Sequence, residues 1–152
     1  WSSSFGYQFL VTGDKDQIAK IKSGIVYTKN ADGTSRLLTI NDYVGLPNTS
    51  KHRFQAKLNY ENKEGVYANL RAIYRSKWAV ANTNGNEVYD NGDQFGKGYI
   101  ILNFSTGKQF KKGWAIQAGI DNINNHIDGM NLPNLAGRTY YMILKYSIQN
   151  KK

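Results

Sequence analysis

Gly137-Arg138-Thr139-Tyr140-Tyr141-Met142-Ile143-Leu144-Lys145-Tyr146-Ser147-Ile148 is the stretch from which the rest of the chain can be read. In alternate steps it gives Tyr140, Met142, Leu144, Tyr146 and Ile148 on one side, and Thr139, Tyr141, Ile143, Lys145 and Ser147 on the other. Neighbouring side chains of a strand point to opposite faces, so a period of two describes a strand with one apolar and one mixed face. The apolar row carries a further order, with aromatics towards its ends and aliphatics between them. Burial against a second sheet does not require that order. A strand crossing a bilayer does, because tyrosine and tryptophan settle at the two membrane–water interfaces.

The same pattern recurs upstream. Residues 1–11 place Phe5, Tyr7 and Phe9 opposite Ser4, Gly6 and Gln8. Residues 19–28 place Ala19, Ile21, Ser23, Ile25 and Tyr27 opposite Lys20, Lys22, Gly24 and Thr28, and read as a second strand. Residues 52–60 alternate most cleanly, with Phe54, Ala56, Leu58 and Tyr60 against Arg53, Gln55, Lys57 and Asn59. Residues 66–78 set Val66, Leu70, Tyr74 and Trp78 against Asn69, Arg71 and Arg75. Residues 99–106 offer Ile100, Leu102 and Phe104; residues 114–121 offer Trp114, Ile116, Ala118 and Ile120. With the last strand this makes about seven. The expected fold is all-β, a transmembrane antiparallel barrel.

The connections alternate in length. Residues 12–16, 61–65 and 107–113 read as short turns, whereas 29–51, 79–97 and 122–136 are long and polar. Outer-membrane barrels have short turns on the periplasmic side and long loops outside. With the C-terminus on the turn side, Tyr60, Phe104, Trp114 and Tyr146 form one aromatic girdle, and Tyr27, Tyr74, Trp78 and Tyr140 the other.

Composition is consistent with this class and excludes others. In 152 residues there is no cysteine, so neither disulfides nor thiolate metal sites are available. No run approaches the roughly 18 consecutive apolar residues of a membrane helix. The mean hydropathy of −0.58 is ordinarily that of a soluble protein, but it does not exclude a barrel, in whose strands only every second residue faces lipid. The net charge of +9 invites a nucleic-acid reading, but the cations stand singly at alternate strand positions or in turns and form no basic patch, so no nucleic-acid partner is expected.

Catalytic chemistry finds no foothold. His52 and His126 are the only histidines, with no spacing for zinc, and His126 near Asp121 and Asp128 reads as an ordinary loop group. No GxGxxG or P-loop is present. The expectation is a non-enzyme with no cofactor and no metal. Inward-facing cations are the stronger candidates: Lys20, Lys22, Arg53, Lys57, Arg71, Arg75 and Lys145. They would either pair with carboxylates of a segment inside the lumen or attract an anionic ligand. Tyr43, Trp78, Tyr89 and His126 would lie in loops or at the mouth, placed to touch a ligand, and Trp78 could equally serve in a girdle.

Three stretches carry a family resemblance. Asp121-Asn122-Ile123-Asn124-Asn125 is similar to an "EN-L-F-D/N" stretch at the end of a penultimate strand. Gly137-Arg138-Thr139-Tyr140-Tyr141 is similar to a "GR-x-Y/F-Y" opening of a last strand. Leu46-Pro47-Asn48 followed by His52-Arg53-Phe54 is similar to an "LPN-x-P-x-H" approach to a strand. Together they resemble the C-terminal end of TonB-dependent outer-membrane receptors, over essentially the whole chain. That family normally ends on an aromatic residue, where this chain has Ile148 followed by Gln149-Asn150-Lys151-Lys152.

The resemblance implies a barrel of about 22 strands filled by a plug. Residues 1–148 would be its C-terminal part and 149–152 a polar tail, with the plug and TonB box upstream. It implies active import of a scarce nutrient, such as a ferric chelate, haem or cobalamin, across the outer membrane of a Gram-negative bacterium. The implied partners are membrane lipid and lipopolysaccharide, the rest of the barrel with its plug, and the TonB complex. Two other classes remain on the sequence alone: a passive porin or small barrel, and a soluble β-sandwich or lipocalin-like binder.

Overall fold

Alternation prevails wherever it runs for eight residues or more without a competing cap. The computed structural model describes residues 1–30, 32–111 and 113–147; Lys112, Ile148 and the polar tail 149–152 therefore lie outside the described residues. The strands are β1 (Ser2–Phe9), β2 (Tyr27–Lys29), β3 (Ser35–Leu37), β4 (His52–Glu61) and β5 (Val66–Arg75), then β6 (Trp78–Ala81), β7 (Gln94–Gly96), β8 (Tyr99–Gln109), β9 (Trp114–Asp121) and β10 (Thr139–Tyr146). Six of them form one sheet in the order β1-β4-β5-β8-β9-β10, and β2-β3 and β6-β7 are separate two-stranded ribbons. The class is all-β and mostly antiparallel. The described residues form an open sheet with β1 and β10 at its edges, not a closed barrel.

Register fixes which residues share a face. Across β8, β9 and β10, Phe104 pairs Ile120, and Ile120 pairs Tyr140; Lys108 pairs Ile116, and Ile116 pairs Leu144. Trp114 pairs Tyr146, with ring centroids 4.6 Å apart. At the other edge the Trp1 and Tyr60 rings lie 4.7 Å apart, while the Asn59 amide donates to Ser2 Oγ at 3.1 Å. A hairpin turn at Asn62–Gly65 joins β4 to β5; Asn62 N–H donates to Val66 O, and Gly65 takes φ 77° there. A side chain at Gly65 would collide with the Gln109 carbonyl.

One expected strand is a helix. Residues 15–22 form α1 (Lys15–Lys22), capped by Asp14, whose carboxylate accepts from the N–H groups of Asp16 and Gln17. That N-cap satisfies donors that a strand would pair elsewhere, and Ile18 and Ile21 sit one helical turn apart. Gly24, at φ 68°, ends the helix by donating to Ile21 O. Lys20 and Lys22 are thus helix residues in a long connection and line no strand face. Lys20 pairs instead with Glu87 at 2.7 Å. Residues 12–16 are likewise no hairpin turn, but the entry to that helix.

The alternation of connections survives the loss of this strand. Residues 10–51, 76–98 and 122–138 are the long ones, and 62–65 and 110–113 the short ones. The strand expected over 66–78 stops at Arg75, and β8 runs on to Gln109, so the second turn is shorter than expected.

Two compact units emerge. One contains residues 1–7, 54–74 and 99 onward; the other contains 8–53 and 75–98. The second has its own small core of Ile21, Val26, Leu38 and Val88, with Tyr43 packed against it. Its ribbon β2–β3 is braced by the Arg36–Asp42 ion pair at 2.7 Å. Asp90, fully buried, takes hydrogen bonds from Thr28 Oγ1, Gly92 N and the amides of Asn84 and Asn86. This stretch, which lacks strand periodicity, is ordered by asparagine and aspartate side chains that substitute for backbone partners.

Candidate functional site

The candidate functional surface is the six-stranded sheet, whose two faces differ sharply in chemistry. One face presents Phe5 and Phe9 from β1, Leu58 from β4, Leu70 from β5, Ile116 from β9 and Leu144 from β10, all exposed. Met142 and Leu144 are 75% and 65% exposed, values foreign to a side chain packed in a protein core. Six strands at about 4.8 Å spacing and some 20 Å of strand length give a bare apolar area on the order of 500 Å². A soluble monomer rarely exposes more than a few hundred square ångströms in one patch.

Aromatics mark both ends of that face. Trp1, Tyr60, Phe110, Trp114 and Tyr146 lie at the turn-side ends of their strands; Phe9, Tyr74 and Tyr140 lie at the ends that lead into the long connections. Three of the girdle positions read from the sequence need correction. Phe104 lies within β8, paired with Ile120, because that strand extends to Gln109; Phe110 occupies its place at the end. Tyr27 belongs to the β2–β3 ribbon, outside the six-stranded sheet. Trp78 is 2% exposed, its ring against Gly96 and beneath the Arg75 guanidinium at 4.0 Å, so it faces neither lipid nor a ligand.

The opposite face is polar and contoured by glycine. Gly119 leaves room for the Tyr141 ring, which a side chain there would strike, and Gly107 does the same for Tyr67. Such pairs let an aromatic cover a glycine in the neighbouring strand. The Tyr67 hydroxyl reaches Gln117 Oε1 at 3.4 Å. Beside the Tyr141 ring, Lys57, Asn69, Arg71, Asn103 and Asp121 line a shallow open hollow.

The seven expected lumen cations divide. Arg53, Lys57, Arg71 and Lys145 stand exposed on the polar face, and no carboxylate pairs with them among the described residues. Arg71 donates only a long hydrogen bond of 3.5 Å to Gln55. Arg75 differs: its Nε donates to Ser50 Oγ at 2.6 Å and its Nη2 to Asn48 O at 2.7 Å, and its guanidinium caps Trp78. It is a fixed structural group. Of the stretch Leu46-Pro47-Asn48, it is the Asn48 carbonyl that accepts from it, with Asn48 in the left-handed region at φ 57°.

The loop candidates are placed as follows. Tyr43 packs on the core of the second unit and its hydroxyl accepts from Asp14 N at 2.8 Å. Tyr89 is half-buried, and its carbonyl accepts from Val44 N. The His126 ring stacks on Tyr99 at 5.0 Å, near-parallel. Asp128 is engaged by Asn131, whose side-chain and backbone N–H groups hold its carboxyl below the ordinary range, with a lesser contribution from His126. No three metal-ligating side chains converge among the described residues.

Two of the motif stretches meet in space, which the sequence did not disclose. Asn122, only 3% exposed, donates to the carbonyls of His126 and Ala136 and accepts from His126 N. Asn124 accepts from Leu102 N and donates to Ile100 O, taking the place of a strand residue beside β8. Asn125 accepts from Arg138 N, and Arg138 Nε donates to the Ile123 carbonyl. The asparagines at 122 and 125 tolerate their positive φ angles of 53° and 52° better than most residues would. The result is a clasp that fixes where β10 starts against β9.

Compared with family models, characterised proteins and solved structures, the chain has no match.

Proposed function

We propose that this chain is part of the wall of an outer-membrane β-barrel, within a TonB-dependent receptor that imports a scarce nutrient. The observation that carries this reading is the bare apolar face, continuous over six strands and bounded at both ends by aromatics. Lipid is the environment in which that face has a favourable free energy, because burying apolar surface is worth about 25 cal/mol per Å². The strand lengths of 8 to 11 residues suit a tilted crossing of about 9–11 residues. A soluble sandwich or lipocalin-like binder would need a second sheet packed over this face, and the six strands themselves form one sheet.

The further parts of the reading follow from the same geometry. Backbone groups on the outer edges of β1 and β10 need partners in hydrocarbon, where each unmet one costs several kcal/mol, so further strands of the barrel pair with them. Arg53, Lys57, Arg71 and Lys145 then line the lumen and meet carboxylates of a plug or an anionic solute such as a ferric chelate. The clasp between residues 121–125 and 137–138 joins the two stretches that resemble the receptor family. Uptake of ferric chelates, haem and cobalamin, compared between cells with and without TonB, tests the function. Uptake abolished without TonB is expected; uptake undiminished without it would favour a passive porin.

A further inference from the structure

On the transmembrane reading above, we propose that Lys108 is a contact for the phosphate of an anionic phospholipid in the leaflet at the turn-side ends of the sheet. Among the described residues, Lys108 is the one Lys, Arg, Asp or Glu on the apolar face. Its strand partner is Ile116, whose other partner is Leu144, so it stands within an aliphatic row. Both ion pairs of the described residues lie elsewhere, between Lys20 and Glu87 and between Arg36 and Asp42, so no carboxylate answers this ammonium. An ammonium left in hydrocarbon is costly, and the four-carbon stem of lysine is the ordinary means of escape.

The conformation shows which way the charge goes. Its Nζ lies 5.7 Å from the centroid of the Phe110 ring, two residues nearer the end of the strand. The stem therefore runs past its own row to the level where Phe110 N–H bonds Trp114 O and where the Trp114 and Tyr146 rings meet at a tilt. That aromatic row is where headgroups begin. A cation held over a ring face at this distance keeps its three N–H donors for another acceptor. Phosphodiester oxygens are the acceptors a bilayer offers at this depth. Exposed Lys111 in the adjoining turn adds a second positive charge. Together they favour a headgroup with net negative charge over a zwitterionic one, whose own cation opposes them.

The test uses the full-length protein in vesicles of brominated phosphatidylcholine, brominated phosphatidylglycerol or their mixtures, with quenching of tryptophan fluorescence as the readout. The wild type should prefer the anionic lipid by about fivefold, the order expected for one cation at a charged surface. Lys108→Gln should lose most of that preference while being quenched by the zwitterionic lipid as fully as the wild type; Lys108→Arg and Lys63→Gln should keep it. A preference unchanged in Lys108→Gln, or lost equally in Lys63→Gln, would overturn the assignment. So would a preference abolished by inorganic phosphate but not by chloride at the same ionic strength, which marks a free-anion site. Quenching by neither lipid in the wild type would instead reject the transmembrane reading itself.

Discussion

Arg71 and Arg75 are alike in sequence, four residues apart on one strand, and opposite in role. Arg75 is spent on Ser50, Asn48 and Trp78, so Arg75→Gln removes charged hydrogen bonds and should destabilise residues 8–53 and 75–98 by about 1.5–3 kcal/mol. Arg71→Gln should leave stability within about 0.5 kcal/mol and alter solute uptake instead; equal stability losses for both, measured by pulse proteolysis, would contradict the distinction. A pH effect follows from Asp42. The Arg36 guanidinium, with lesser help from Thr39, holds its carboxyl far below the ordinary value of 3.8. A lowered folded-state value stabilises above the unfolded value, and that stabilisation is lost as pH falls below 3.8 towards the folded one. Arg36→Gln should therefore weaken the β2–β3 ribbon at neutral pH and make its acid opening begin at higher pH, as amide exchange would show. Asp90→Ala strands four donors in a closed site and should cost on the order of 2–3 kcal/mol.

Elements were legible in the sequence wherever period two ran unopposed. The apolar row of β10 and the short turn after β4 follow from alternation and a Gly in a turn. Residues 19–28 misled because Ala19, Ile21, Ser23, Ile25 and Tyr27 also alternate; the competing signal was Asp14 with Gln17 three residues on, an N-cap pair that stops strand pairing before it starts. Trp78 was misplaced for another reason. Its exposure depends on Arg75 and Gly96, contacts that no local pattern encodes. The asparagine clasp is likewise invisible to periodicity, since its bonds join residues up to 24 apart in the chain. At this scale the two faces make a prediction. Arg at Leu58, Leu70 or Leu144 should cost roughly 2–4 kcal/mol near the membrane midplane, while Arg at Gln55 or Asn103 should cost far less. Gly119→Ala should also destabilise, by about 1–3 kcal/mol, because the added methyl displaces the Tyr141 ring. Denaturant titrations in lipid would rank these variants, and equal costs on both faces would contradict the assignment.

At the scale of the whole molecule, the long connections should share one side of the membrane and the short turns the other. Cysteine at Asn91, an exposed loop position, should react with an impermeant reagent on intact cells, whereas cysteine at Lys63 should not. Asn86 is a poor probe for this purpose, since its amide holds Asp90 and the Tyr27 carbonyl. Everything else in the account depends on lipid covering one face of the sheet. Spin labels placed singly at residues 67 to 73 of β5, read for collision with oxygen and with a water-soluble nickel chelate, address that directly. The account predicts a period of two: labels at Ala68, Leu70 and Ala72 favour oxygen, with a maximum towards the middle of the strand, and labels at Asn69, Arg71 and Ile73 do not. Nickel accessibility that is uniform along the strand, with no alternation, would contradict it.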